Sequence, residues 1–361
     1  MPKDVVVVVR LDDKPKEAQG LDILLVSTEG EKAVKEYRSL EEISTDYSGK
    51  IVEKMAQAIF DQGKTTLADS LIRKIKIVGM EAPESASAMV ESLKALQQQD
   101  DDWYLIMTDK KEDEYIKALA EWAEATEPTE AELGAGVEDH RKLYFAQTAN
   151  KTLEVTNRRS IIVYHPDEEE AAAAWVGNVG PFYPESVTWK FKRPQDITLP
   201  ALTEAEREAL EEANVNFLTA EYKREYMKNG VCADGEWIDS QMGADYIALT
   251  IRNNLYDLLL SSPKIPYTDQ GFVQVSSVVF SAFNEAVELG IIATDPESNR
   301  GQYEVVVPTR ADATDDQARA REMPEITWQA QLEGAVHRVK VSGVLKATMT
   351  EKEGMKYDSY L

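Results

Sequence analysis

The chain has 361 residues, 43% hydrophobic and 29% charged, which gives room for two or three domains with real cores. Lys and Arg number 40 against 65 Asp and Glu, a net charge of −25, so the chain repels nucleic acid and anionic membrane surfaces unless folding gathers a basic patch. One cysteine, Cys232, allows no intrachain disulfide, and His140, His165 and His337 are far apart with no cysteine companions, which argues against zinc.

No run of about 18 apolar residues is present, and the N-terminal run is too short for a signal peptide or a membrane span. A soluble protein made in a reducing compartment is expected. The acid is uneven: residues 109–139 hold eleven Asp and Glu against three Lys, whereas 325–361 hold five acids and five bases. A partner surface is expected on the neutral stretch.

In chain order, "VVVVVR" (5–10) is a β-branched strand bounded by turn residues, and "LDILLVS" (21–27) is a second strand. Ile51, Met55, Ile59 and Phe60 recur at helical spacing in 51–62. Residues 72–80 alternate as a strand and 86–99 read as a helix. "DWYLIMT" (102–108) is a buried strand, followed by Asp109 as a helix cap. Residues 113–125 form an amphipathic helix with Tyr115, Leu119 and Trp122 on one face. Strands follow at 142–148 and 159–165, then a helix at 166–178 with carboxylates in its first turn. Residues 21–180 thus alternate strand and helix, the pattern of a layered, largely parallel α/β domain.

Past Gly180 the texture changes. Four prolines make 181–200 extended and irregular, with one strand expected at 186–192. Thr203 and Glu206 form a capping box for a helix over 202–214. A long helix over 240–262 presents Ile247, Ile251, Leu255 and Leu258 on one face and stops at Pro263. Another runs from 269, capped by Asp269, to Gly290. Strands are expected at 303–308, 325–334 and 335–345, the last two joined as a hairpin through "LEGA". The fold class is α/β (α+β overall).

Chemistry-bearing motifs are weak. Gly63-Lys64-Thr65-Thr66, with the strand "YLIMTD" further on, resembles a phosphate loop, but the pattern needs a glycine where Ala58 stands and a strand where the helical 51–62 stands. The bland reading makes Gly63 a helix terminator; a nucleotide-binding enzyme using Gly63, Lys64 and Thr65 stays open. No G-x-S-x-G elbow is present, no histidine is near Cys232 in sequence, and "DDD" (100–102) and "DEEE" (167–170) lack calcium-loop spacing. No catalytic, metal or cofactor site is expected.

The second half carries a resemblance. "AAAAWVGNVGPFYPESVTWKFKRPQDI" (171–197), "LTEAEREALEEANVNFLTA" (202–220), "GEWIDSQMGADYIALTIRNN" (235–254), "KIPYTDQGF" (264–272) and "AFNEAVELGIIA" (282–293) resemble, in order and spacing, contractile phage tail sheath proteins; "KIPYTDQGF" between two long helices is the most specific piece. "EYRSLEEISTDY" (36–47) and "AIFDQG" (58–63) are similar to the family's early helical segments. The chain departs where members often carry Pro-Gly and it has Pro184-Glu185, losing glycine's positive φ. It is also short for the family, so outer decoration domains are expected to be absent.

The resemblance implies a structural protein with three parts: an N-terminal arm (1–20), an outer, inserted α/β domain (21–180) and an assembly domain with a C-terminal strand arm (181–361). It implies stacked hexameric rings around a tail tube, contacts with the tube protein, baseplate and tail terminator, a place in the virion after assembly in the host cytoplasm, and contraction that drives the tube through the host envelope. It implies no cofactor, no nucleic-acid contact and no membrane insertion. In the family, terminal arms complete a sheet in neighbouring subunits. That makes Val5, Val6, Val7, Val8 and Val9, with Val336, Val339, Val341 and Val344, the expected inter-subunit strands; ordinary strands within one subunit are the alternative. Pro184, Thr188, Lys192, Ile265, Pro266, Tyr267, Thr268, Asp269 and Gly271 are the motif positions expected to serve assembly. Another tail or baseplate component with the same α/β texture stays open.

Overall fold

The structure is a computed structural model that describes residues 22–62, 72–134, 139–182, 184 and 186–340. Val5–Val9, the Gly63–Thr66 stretch, Val341 and Val344 lie outside the described residues.

The elements run β1 (Ile23–Ser27), β2 (Lys32–Tyr37), α1 (Leu40–Tyr47), α2 (Ile51–Asp61), β3 (Ile75–Gly79), α3 (Ala86–Gln97), β4 (Leu105–Thr108), α4 (Asp113–Glu124), α5 (Glu130–Gly134), β5 (Leu143–Thr148), β6 (Ser160–Tyr164), α6 (Ala171–Val179), α7 (Glu204–Glu212), β7 (Asn216–Glu221) and β8 (Arg224–Lys228). These build one sheet in the order β2-β3-β1-β4-β5-β6-β7-β8. The six inner strands are parallel, and β2 and β8 close the two edges antiparallel. The fold class expected from the sequence is the one observed.

Strand residues alternate cleanly between two cores. Ile23, Leu25, Leu105, Met107, Phe145, Ile161 and Val163 face α2 and α6; Leu24, Val26, Ile106, Tyr144, Ala146 and Ile162 face α3 and α4. Burial on both faces is why these strands read as unbroken apolar runs. The alanine-rich α6 is buried along its whole length, and small side chains permit that. A Cβ at Gly177 would fall 2.6 Å from the Ile59 carbonyl oxygen, so glycine there sets how closely α6 approaches α2. Trp175, Trp189 and Phe145 fill the space beneath, with ring centroids 5.0–6.1 Å apart.

Several boundaries differ from expectation. β7 and β8 extend the same sheet to Lys228, so the layered unit runs past the boundary expected at 180. No strand forms at 186–192; instead the Phe191 N–H and the Lys192 carbonyl bond the Met227 backbone at 3.1 and 2.7 Å, beside β8. The helix expected from 166 begins at Ala171, because the Asp167 and Glu168 N–H groups are turned to the His165 ring nitrogen. The capping box at Thr203 and Glu206 forms as expected.

The C-terminal unit comprises α8 (Ile238–Ser261), α9 (Asp269–Glu288), β9 (Tyr303–Val306), α10 (Asp315–Ala320) and β10 (Thr327–Ala330). Thr268, not Asp269, caps α9; its hydroxyl accepts from the Gly271 N–H. Gly290 ends that helix as expected, with φ +77°. The hairpin through "LEGA" does not form. β10 pairs antiparallel with β9, Thr327 opposite Val306, and residues 335–340 are not a strand. The reason is that 331–333 are already bonded to Ala293, Gln302 and Ile291 beyond the end of α9.

Candidate assembly surface

Helix α8 joins the two units. Its 24 residues span roughly 36 Å at 1.5 Å per residue. Ile238 and Met242 lie in the core under the sheet, while Ile247 lies in a separate core with Val279, Phe283, Ala286, Ile291 and Ile292. One unbroken helix therefore carries the C-terminal unit on the α/β layer.

A buried charge cluster fixes the helix there. The Asp245 carboxylate, 2% exposed, accepts from Tyr104 Oη at 2.6 Å, Arg141 Nη1 at 2.9 Å, Gln241 Nε2 at 3.2 Å and both terminal nitrogens of Arg159. Arg159 is fully buried and also donates from Nε to the Lys142 carbonyl at 2.8 Å and from Nη1 to Glu127 at 2.7 Å. Burial works against the Arg159 charge, but the Asp245 carboxylate beside it prevails and holds the pKa above its usual value. Tyr104 and Arg159 immediately precede β4 and β6, and Arg141 lies two residues before β5, so α8 stands at the N-terminal end of these strands. Arg252, two turns on, donates to the Asp139 carbonyl at 2.9 Å.

The opposite edge of the sheet, where doubly wound folds bind nucleotides, is tied shut between β1 and β4. Asp109 caps no helix, contrary to expectation: its two oxygens accept from the Thr28 N–H at 2.7 Å and the Thr28 hydroxyl at 2.9 Å. Lys64 lies outside the described residues, but its approach is α2, a helix, and the connection leads into the N-terminal end of β3. A phosphate loop instead follows a strand at its C-terminal end. Lys64→Ala is expected to leave equilibrium dialysis against ATP unchanged; tight binding lost in the variant would restore the nucleotide reading.

The motif positions fall in two groups. Ile265–Thr268 lie in the turn between α8 and α9, and Asp269 and Gly271 in the first turn of α9. Tyr267 packs on Phe272 (centroids 5.0 Å, 88°) and donates its hydroxyl to the Glu322 carbonyl at 2.7 Å, while Asp269 accepts from the Arg310 N–H. A Cβ at Gly271 would lie 1.8 Å from the Pro266 carbonyl oxygen. Gly271→Ala is therefore expected to destabilise the C-terminal unit by about 1–3 kcal/mol, seen as a lower thermal midpoint. Pro184, Thr188 and Lys192 lie elsewhere, on the α/β layer; Pro184 accepts from Ser186 N–H at 2.8 Å, and Thr188 Oγ1 lies 2.7 Å from His337 Nε2. Burial lowers the Lys192 pKa.

Beyond these contacts the C-terminal unit exposes a set of large apolar side chains among its polar surface. Tyr256, Leu259 and Leu260 on α8, Val273 on α9, and Val306 and Trp328 on the small sheet are exposed, as are Val336 and Val339. Leu133, Phe191, Leu199, Tyr222 and Trp237 are exposed on the α/β layer as well. β9 and β10 stand on α9 through Tyr303 and Trp328 against Phe283, at 5.1 and 4.9 Å. Among the described residues neither strand has a further partner along its outer edge. The sequence pointed to the strands of this unit but missed the Asp245 cluster, for which buried Arg and Asp leave no periodic signal. Among the described residues no group of His, Cys, Asp and Glu suited to a metal is present, and no helix is long and apolar enough to cross a membrane.

Residues 238–345 match the family model for the C-terminal domain of the E217 tail sheath protein gp31-like family. No curated protein matches the chain by sequence. Among solved structures, a chain of the anti-feeding prophage baseplate is similar at TM-score 0.63 and 12% identity, covering 97% of this chain and 100% of that one. The helical sheath of the anti-feeding prophage in its contracted state follows at 0.60 and 12%, covering 95% and 99%. The sheath complex of the extracellular contractile injection system PVC, also contracted, gives 0.56 and 9%, covering 96% and 99%. The chain thus shares the fold of contractile tail sheath proteins along nearly all its length, and its residues 238–345 carry the sequence pattern of a tail sheath C-terminal domain.

Proposed function

We propose that this chain is the polymerising subunit of a contractile tail sheath, with no catalytic role. The observation that carries the reading is the β9–β10 pair. Its two strands are held from one face by α9, while its outer edges have no further partner among the described residues, and open edges are templates for strands from another chain. Val5–Val9 from one neighbour and the segment containing Val341 and Val344 from another are the strands we assign to those edges; Val336 and Val339, expected there too, flank His337, which meets Thr188 of its own chain. Each added backbone hydrogen bond contributes roughly 0.5–1.5 kcal/mol, so a few per arm make a strong tether. Heterologous contacts of this kind build open helical assemblies.

In this reading hexameric rings stack around a tail tube between baseplate and tail terminator, in a virion or a particle derived from one, after assembly in the host cytoplasm. Subunits move as rigid bodies held by their arms. The extended sheath stores the energy, and contraction drives the tube through the envelope without ATP. The domain roles follow: residues 1–20 as an arm, the α/β layer outward, and the unit built on α8 and α9 inward, with the Ile265–Gly271 segment shaping it. Negative-stain microscopy of the purified chain tests this, with hollow tubes or stacked rings expected. The similarity to a baseplate chain favours one second reading, a ring-forming baseplate component; closed single rings without tubes would select it. Particles that stay monomeric at high concentration would overturn both.

A further inference from the structure

The segment after β10 returns from the C-terminal unit to the α/β layer and is held there by one side chain. Its start is tied beyond the end of α9, where the Gln331 N–H donates to the Gln302 carbonyl at 2.9 Å and the Glu333 N–H to the Ile291 carbonyl at 3.1 Å. Gly334 and Ala335 then line an open cleft whose other wall is Ser186–Thr188. His337 lands across it. Its Nε2 lies 2.7 Å from Thr188 Oγ1, its ring meets Trp237 edge-on at 4.1 Å between centroids, and Phe191 lies at 6.0 Å.

The flanking residues are not held in this way: Val336 and Val339 are 78% and 76% exposed. A half-buried ring that meets a hydroxyl and an aromatic face between exposed neighbours is an anchor, because a ladder-free extended segment otherwise has no reason to stay in place. Thr188 also bears on Asp239 in the first turn of α8, a carboxyl that burial pushes up to about 6 and whose Oδ1 has no hydrogen-bond partner. The anchor therefore joins the α/β layer, the root of α8 and the departing chain.

We propose that residues 333–340 are a strap and His337 its latch, which fixes the point and direction from which residues 341–361 leave toward a second copy of this chain. The partner follows from charge. Residues 335–361 carry Arg338, Lys340, Lys346, Lys352 and Lys356 against Glu351, Glu353 and Asp358, five minus three or +2, while the chain as a whole carries −25. The proposal rests on the sheath reading for the arm's destination, but the latch itself exists in a single subunit and is tested there.

The full chain with Glu236→Cys and Val336→Cys, both beside the latch and outside it, is treated with a short bismaleimide; the native Cys232 is buried. The expected product is an internally cross-linked single chain. Adding His337→Ala is expected to lower its yield about fivefold, the effect of losing one hydrogen bond and a ring contact. The same substitution on the native background is expected to raise the critical concentration for tubes about fivefold, with circular dichroism unchanged. Equal cross-linking with and without His337, or a product that joins two chains, would overturn the latch. Lost cross-linking with an unchanged critical concentration would overturn its role in directing the arm. Absence of tubes from the unsubstituted chain is a failure of the sheath reading alone, since the cross-link is read on monomers.

Discussion

Asp245→Ala is expected to cost roughly 3–5 kcal/mol, the largest effect of any single surface-distant substitution proposed for this chain. Removing the carboxylate leaves Arg159, wholly buried, with one opposite charge fewer, and takes an acceptor from Tyr104, Arg141 and Gln241 at once. Attraction between the ions only offsets the cost of drying them, so the loss comes from the charge left behind. Urea unfolding followed by tryptophan fluorescence gives the magnitude. Hydrogen exchange gives the place, with the first half of α8 and the starts of β4, β5 and β6 losing protection together. Asp257→Ala on the exposed side of the same helix is the control, expected within about 0.5 kcal/mol of the parent. A similar small loss for Asp245→Ala would mean that water reaches the cluster and that α8 is not clamped to the sheet. The clamp also bears on assembly: a C-terminal unit that pivots on the α/β layer would present β9 and β10 at no fixed angle to a neighbour.

Deleting residues 1–12 is expected to abolish tubes while leaving a folded monomer. The eight-stranded sheet is built from residues 23–228, and the buried residues of its two cores and of the C-terminal core all lie between Ile23 and Ile292, none in that segment. Circular dichroism and the thermal midpoint should therefore match the parent. Negative-stain images should show no tubes at concentrations where the parent polymerises. A short peptide spanning residues 1–12 added in trans is expected not to restore them, because a free strand fills the edge without linking two subunits. Tubes of normal length from the truncated chain would remove Val5–Val9 from the inter-subunit role.

Much of the fold is written in local pattern. Helical spacing at Ile51, Met55 and Ile59, the amphipathic stripe of Tyr115, Leu119 and Trp122, and the Thr203–Glu206 capping box all act within one or two turns, and each element forms where they place it. Apolar runs at 23–27, 105–108, 143–148 and 160–164 declare strands buried on both faces, hence a parallel sheet under helices. The residues of "KIPYTDQGF" likewise explain themselves once the turn is in view: Thr268 caps, Gly271 makes room for the Pro266 carbonyl, and Tyr267 meets Phe272 edge-on.

What the sequence by itself determined, then, is the set of helices and buried strands, the α/β class, and the stretches that resemble a tail sheath. The tertiary structure alone decided which strands pair and which charges meet. β10 joins β9 rather than the segment that follows it, because residues 331–333 are taken by the end of α9. β7 and β8 continue a sheet that the composition change at 180 concealed. Asp109 binds Thr28 across 81 residues, and Asp245 binds Arg159 across 86. Pairings at such separations depend on where the chain returns in space, and neither period nor composition records a return.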